Sequence, residues 1–203
     1  MARRWIAGMS LLTMLVFLVA CQPSRLPQKE YAKWIQAPEN GLHKTKEVGA
    51  YRIETQFLPA DMMASLSMRG PYQKAKWEDA IQAKQSELNF QLSLSTLDRQ
   101  ETVLRYDLES PAEYQDRVYY FSYEIEHDIR LIAGEDTLKP ILCHFVRSYD
   151  LSPNLKCMLT FERSAKQTSD IRLIWEDNLL GMGPLHFNFD PQQLENTPAL
   201  ILK

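Results

Sequence analysis

Four histidines, His43, His127, His144 and His186, are the first residues to weigh for chemistry. None stands in an H-E-x-x-H or comparable spacing, so no pair is set on one helix face as a zinc site requires. The densest polar run is Glu124, Glu126, His127 and Asp128. Read as a strand, it sends the three acids to one face and His127 to the other, a poor ligand set. Acidic turns raise a Ca²⁺ question: Glu135 and Asp136 in one, Glu176, Asp177 and Asn178 in another, with Asp190 nearby. That ion takes about six to eight oxygens. The chain has no D-x-D-x-D-G loop, and hydrophilic turns account for these acids. There is no G-x-S-x-G nucleophile elbow, and Gly181-Met182-Gly183 is too short for a phosphate cradle and reads as a turn. No residue set in the sequence calls for a metal, a cofactor or a catalytic role.

Cysteines and aromatics offer chemistry of a weaker kind. Cys143 and Cys157 lie on strands that flank one turn, both on the side of large apolar neighbours. In an oxidising compartment a Cys143–Cys157 disulfide is one outcome. A hairpin centred near 151–152 instead pairs Cys143 with Leu159 to Phe161, an offset that favours two buried free thiols. Tyr119, Tyr120, Phe121 and Tyr123 run together, and Phe145, Trp175, Phe187 and Phe189 follow on later strands. Core packing explains most of them, because they occupy the inward parity. Tyr120 falls on the outward parity and is the first candidate for a contact residue.

The elements that would position these groups are mostly strands. Gln28 to Gln36 reads as a short helix stopped by Pro38, with Tyr31, Trp34 and Ile35 on one side. Asn40-Gly41 is a turn signal. Tyr51, Ile53, Thr55 and Phe57 alternate with Arg52, Glu54 and Gln56, the period of a half-buried strand. Pro59 to Met68 and Pro71 to Ser86 predict helices split by Gly70, the second buried along Trp77, Ala80 and Ile81. Alternation returns at Leu88, Phe90, Leu92 and Leu94. Ser110-Pro111-Ala112-Glu113 opens a helix that should be brief, because Phe121, Tyr123, Ile125, Ile129 and Leu131 again keep a period of two. A turn at Gly134-Glu135-Asp136 follows. Further strands are expected through Ile141, Cys143 and Phe145; Cys157, Leu159 and Phe161; Ile171, Leu173 and Trp175; and Leu185, Phe187 and Phe189. The pattern predicts a mainly β fold. It would be an antiparallel sandwich, or a barrel-like closure, of about seven or eight strands, with two to four short helices mostly in the N-terminal half. The last ninety or so residues leave no room for the crossover helices of a parallel sheet.

The whole chain has 203 residues, 23 basic and 26 acidic, a balance that argues against a nucleic-acid partner. Its first twenty residues stand apart. Arg3 and Arg4 precede thirteen apolar side chains among the sixteen residues from Trp5 to Ala20, with no charge. The run is shorter than the roughly 20 residues of a spanning helix and has the form of a secretory signal. Leu18-Val19-Ala20-Cys21 closes it and resembles the lipobox of bacterial lipoproteins. The resemblance implies that residues 1–20 are cleaved by signal peptidase II, that the Cys21 thiol carries a diacylglycerol, and that its new amine is acylated. Gln22, where an inner-membrane protein tends to carry Asp, implies sorting to the outer membrane. Residues 21–27 then form a tether, and 28–203 one β-rich globular domain. The mature 183 residues carry 21 basic and 26 acidic groups, a net −5.

The expected function follows from the anchor more than from the domain. The chain reads as a lipid-anchored protein of the bacterial cell envelope, a non-catalytic binding or interaction module. Its partners would be the membrane, through the N-terminal lipid, and an envelope protein or glycan. The alternative is a secreted-side hydrolase or carbohydrate-active domain whose site is dispersed over loops.

Overall fold

Alternation of apolar and polar side chains decides which face each strand buries, and the strand register lines those faces up. The structure is a computed structural model and describes residues 25–68, 72–147, 152–163 and 170–202. The signal segment and Cys21 lie outside the described residues. The chain is mainly β, with eleven strands among the described residues rather than seven or eight. In chain order these are β1 Arg25–Pro27, β2 His43–Val48, β3 Tyr51–Leu58, β4 Glu87–Thr96, β5 Ile129–Ala133 and β6 Asp136–Leu138. They are followed by β7 Leu142–Val146, β8 Leu155–Glu162, β9 Ile171–Asp177, β10 Gly183–Phe189 and β11 Ala199–Ile201. The helices are α1 Gln28–Gln36, α2 Ala60–Ser67, α3 Lys74–Lys84, α4 Pro111–Tyr119, α5 Ile125–Asp128 and α6 Pro191–Glu195.

Two open antiparallel sheets carry the core. One has the order β2-β3-β4-β8-β7, the other β10-β9-β5-β6, and neither closes into a barrel. In the first, Ile53 pairs with Leu94 and Phe57 with Phe90, while Phe90 also faces Leu159. In the second, Trp175 lies between Ile129 and Leu185, and Leu173 between Leu131 and Phe187. These faces meet: the Phe90 and Phe189 ring centroids are 5.2 Å apart. At the rim, Lys44 and Lys46 of β2 point inward and lay their ammonium groups over the Phe189 and Phe187 rings, at 5.8 and 5.9 Å. Each keeps its stem on apolar surface and its charge near water. One polar group in this core is left unsatisfied. Thr55 Oγ1 is buried and has no hydrogen-bond partner among the described residues.

Two departures from the alternation matter for function. Arg25–Pro27, expected in the tether, is strand β1 and runs parallel to β11, with Leu26 opposite Leu200. The second departure is larger. The expected strand through Phe121, Tyr123 and Ile125 is helical: α4 passes through a π-turn, Tyr120–Glu124, into α5 and only then into β5. The side chains buried there are Arg117, Tyr120, Phe121 and Ile125. Their spacing of three, four and eight from Arg117 is helical, and the apolar alternation of 121, 123 and 125 hid it.

At the other end of the sheets, α1, α2, α6 and the β1–β11 pair are fastened together. Tyr31 Oη donates to Asp61 Oδ1 at 2.5 Å, and the Leu200 N–H donates to Asp61 Oδ2 at 2.6 Å. Gln56 reaches from β3 to the Ile35 carbonyl at 2.5 Å. Gly41, at φ +77°, turns the chain out of the α1 region, and a Cβ there would run into the Gln193 side chain of α6.

Candidate functional site

The segment from 97 to 128 caps the end of the sheets where β9 finishes and β10 begins. Ser110 caps α4 by accepting the Glu113 N–H at 3.4 Å, and Pro111 fills the first helical position. The Glu113 carboxylate reaches back to the Glu109 N–H at 2.8 Å and takes Arg117 at 2.5 Å. Those two partners, the backbone N–H first, hold the Glu113 carboxyl below its ordinary range. Arg117 is only 5% exposed. Its guanidinium also donates to the carbonyls of Val103 and Tyr106, at 2.7 and 2.6 Å. One buried side chain thus clamps an otherwise irregular connection to the helix. Arg105 adds a second clasp by lying over the Tyr114 ring at 4.8 Å.

The π-turn that follows splits the aromatic run in two. Tyr120 is 6% exposed, which corrects its assignment as an outward contact residue. The assignment assumed a strand; in the helix Tyr120 turns inward with Phe121. Trp175 Nε1–H donates to Tyr120 Oη at 3.1 Å, and Tyr120 Oη–H donates to Asp128 Oδ2 at 2.7 Å. Asn178 donates to the other oxygen of Asp128 at 2.9 Å. Burial, and then the bond to Asp128, push the Tyr120 phenol up, so it stays a neutral donor at physiological pH. This chain joins π-turn, β9 and the β9–β10 loop. Asp177, itself buried, accepts the N–H groups of Leu179, Leu180 and Met182 and builds that loop from within. Glu176 is held by Arg130.

Asp128 and Asp177 lie at one end of β9; Glu135, Asp136, Asp170 and Asp190 lie at the other, because Ile171 pairs with Ala133 and Phe189. Seven residues of β9 put roughly 20 Å between the two groups, so the acidic turns do not converge. Glu135, Asp136, Asp170 and Arg172 line an open depression of about 690 Å³. Among the described residues no three His, Cys, Asp or Glu side chains come together to hold a metal ion. His127, His144 and His186 are exposed and His43 is half-buried. Gly181 and Gly183, at φ +74° and +70°, form a turn. Cys143 pairs with Leu159 and Cys157 with Phe145, so the two cysteines are diagonal neighbours. Diagonal Cα atoms stand about 7–8 Å apart, beyond ordinary disulfide reach, and both thiols are free. Burial pushes Cys143 up to about 12 and Cys157 well above its ordinary value.

No protein-family model matches the chain, and neither a curated protein nor a solved structure resembles it significantly. Any candidate site is therefore found by surface chemistry alone. Tyr119 and Tyr123, 56% and 64% exposed, stand on the outer side of the π-turn with ring centroids 5.4 Å apart. Beside them runs β7, the edge of its sheet, where Phe145 packs on Phe121 and Arg147 donates to Ser122. Ile141, Leu142 and Val146 are exposed along this edge. The opposite edge, β2, carries Lys44, Lys46 and Glu47. β7 has no Lys, Arg, Asp or Glu at all. Charged residues on edge strands discourage pairing with other chains; β7 lacks that protection, and an aromatic pair flanks it.

Proposed function

We propose that the chain is a lipid-anchored protein of the bacterial envelope, sorted to the outer membrane. Its β domain is a sandwich of the two sheets and serves as a non-catalytic binding module. The β7 edge, which among the described residues pairs with no strand on its outer side and carries no Lys, Arg, Asp or Glu, lies beside Tyr119 and Tyr123 and supports this reading. An extended protein segment can add to such an edge as a further strand: main-chain hydrogen bonds supply affinity, and exposed side chains such as Leu142 and Val146 supply specificity. The stacked tyrosines give rigid, amphipathic contact area at small entropic cost. The anchor rests on the lipobox resemblance ending at Cys21, and the two acyl-bearing positions on that residue would hold the domain without a spanning helix.

Photo-crosslinking in intact cells tests the module. A photoreactive residue at Leu142 or Tyr123 should give a discrete protein adduct, one at Lys74 on α3 should not, and Val146→Lys should abolish the adducts at both Leu142 and Tyr123. Adducts equal at all three positions would sink the docking edge. For the anchor, the mass of the mature N-terminus should show acyl chains on Cys21. A Cys21→Ser protein that is still cut after Ala20 and stays membrane-bound without detergent would contradict it.

A further inference from the structure

We propose that the β1–β11 pair and the exposed side of α1 form the membrane-facing surface of the domain, and that this surface takes anionic phospholipid headgroups. The inference rests on acylation of Cys21 and goes beyond it by assigning an orientation.

Chain length supplies the first argument. Because Arg25–Pro27 is paired to β11, only Gln22, Pro23 and Ser24 separate the lipidated residue from the folded domain. Four Cα steps span at most about 14 Å. The eight residues of β3 alone run for roughly 26 Å, so the tether is shorter than the domain is long. The point of attachment, and the surface around it, must stay close to the headgroups.

Charge supplies the second. Residues 21–36 hold Arg25, Lys29 and Lys33 against the single acid Glu30, a local +2, whereas the remaining mature residues sum to −7. All three cations are exposed, and none makes an ion pair among the described residues. Lys29 and Lys33 are one turn apart on the same helix side. Between them and the membrane the attraction is favourable; for the rest of the acidic domain it is not. Exposed apolar groups complete the surface, for Pro27 and Ile201 are paired across β1 and β11, and Ile201 is 37% exposed.

The platform is also rigid. Asp61 binds both Tyr31 and the Leu200 N–H, and Gln56 binds the Ile35 carbonyl, so α1 and β11 move with the sheets. Gln56 and Tyr51 stand five residues apart on β3, about 17 Å. Tyr51 meets the Tyr106 ring at 5.7 Å, and Arg117 of α4, just before the π-turn, binds the Tyr106 carbonyl, so this end of the molecule points away from the membrane, and with it the Tyr119–Tyr123 pair.

A depth measurement on the acylated full chain decides the matter. The protein would be reconstituted into phosphatidylethanolamine vesicles containing phosphatidylglycerol, with a nitroxide at Gln36→Cys on α1 or Glu126→Cys on α5. A relaxing metal chelate on the lipid headgroups should enhance relaxation several-fold more at 36 than at 126. Arg25→Gln/Lys29→Gln/Lys33→Gln should shrink that difference, as should high salt, which screens exposed charge. Absence of acyl mass on Cys21 overturns the anchor and this surface together. Acylated protein with equal relaxation at both labels overturns the orientation alone. A difference unchanged in the triple variant and in neutral phosphatidylcholine vesicles overturns the headgroup recognition.

Discussion

Thr55 presents an unusual balance at the level of the single residue. Its hydroxyl sits in the apolar interior with no partner among the described residues, opposite Leu92 and beside Lys44. A buried polar group left unpaired costs about 1–3 kcal/mol. Thr55→Val keeps the shape, favours the strand, and should raise stability by about 1 kcal/mol in urea unfolding. Tyr120 has the opposite balance. Tyr120→Phe would strand the buried Trp175 N–H and one oxygen of Asp128, so it should cost roughly 1–3 kcal/mol in the same assay. An unchanged midpoint would mean that the network is not held in solution. The cysteines give a third test. With their thiols shifted upward by burial, Cys143 and Cys157 should resist a maleimide in native protein near neutral pH and react promptly in denaturant.

Among the elements, the connection from 97 to 110 depends on α4 more than on itself. Arg117 ties it down through two carbonyls, and Glu113 completes the ion pair. Arg117→Leu should leave those carbonyls without a donor and release the segment. Hydrogen exchange at residues 103–106 should accelerate by more than in any strand of the two sheets, with a loss of roughly 2–4 kcal/mol. Glu113 adds a pH dependence whose direction is fixed. Its carboxyl is depressed in the folded state, so its contribution is present above the ordinary carboxyl value and is lost as pH falls through the lower, folded one. Glu113→Gln should flatten the acid limb of the stability profile, and a limb of unchanged slope would show that the Glu109 and Arg117 bonds contribute nothing.

At the scale of the whole molecule, the two edges of the five-stranded sheet are treated differently. β2 is charged and its lysines fold over Phe187 and Phe189, while β7 is uncharged and flanked by exposed tyrosines. Placing one charge on that edge should therefore alter association without altering the fold. Val146→Lys should stay within about 0.5 kcal/mol of the wild type in stability, yet lose both crosslinked adducts and any concentration-dependent self-association seen by light scattering. A variant that unfolds instead would show that the edge is part of the packed structure rather than a docking surface.

The residue order by itself determined which strands build the core. In β4 and β10 the large apolar side chains alternate cleanly, and in β3, β8 and β9 they do so apart from Thr55, Met158 and Ile174, so one register buries nearly all of them. It also determined the α4 start, since Ser110, Pro111 and Glu113 satisfy local backbone groups with no help from elsewhere. The N-terminal address proposed from Arg3, Arg4 and Leu18-Val19-Ala20-Cys21 rests on a resemblance in the sequence alone. Short or polar strands were not legible: β1, β2, β6 and β11 have little apolar periodicity and exist because a neighbour offers hydrogen bonds. The course from Phe121 to Ile125 satisfies both a strand and a helical pattern, and only packing against Phe145 and Trp175 chose the helix. That choice turned Tyr120 inward, left Tyr119 and Tyr123 at the surface beside β7, and so decided where the candidate site lies. Periodicity states which residues prefer burial; which neighbour buries them is settled only when distant segments meet.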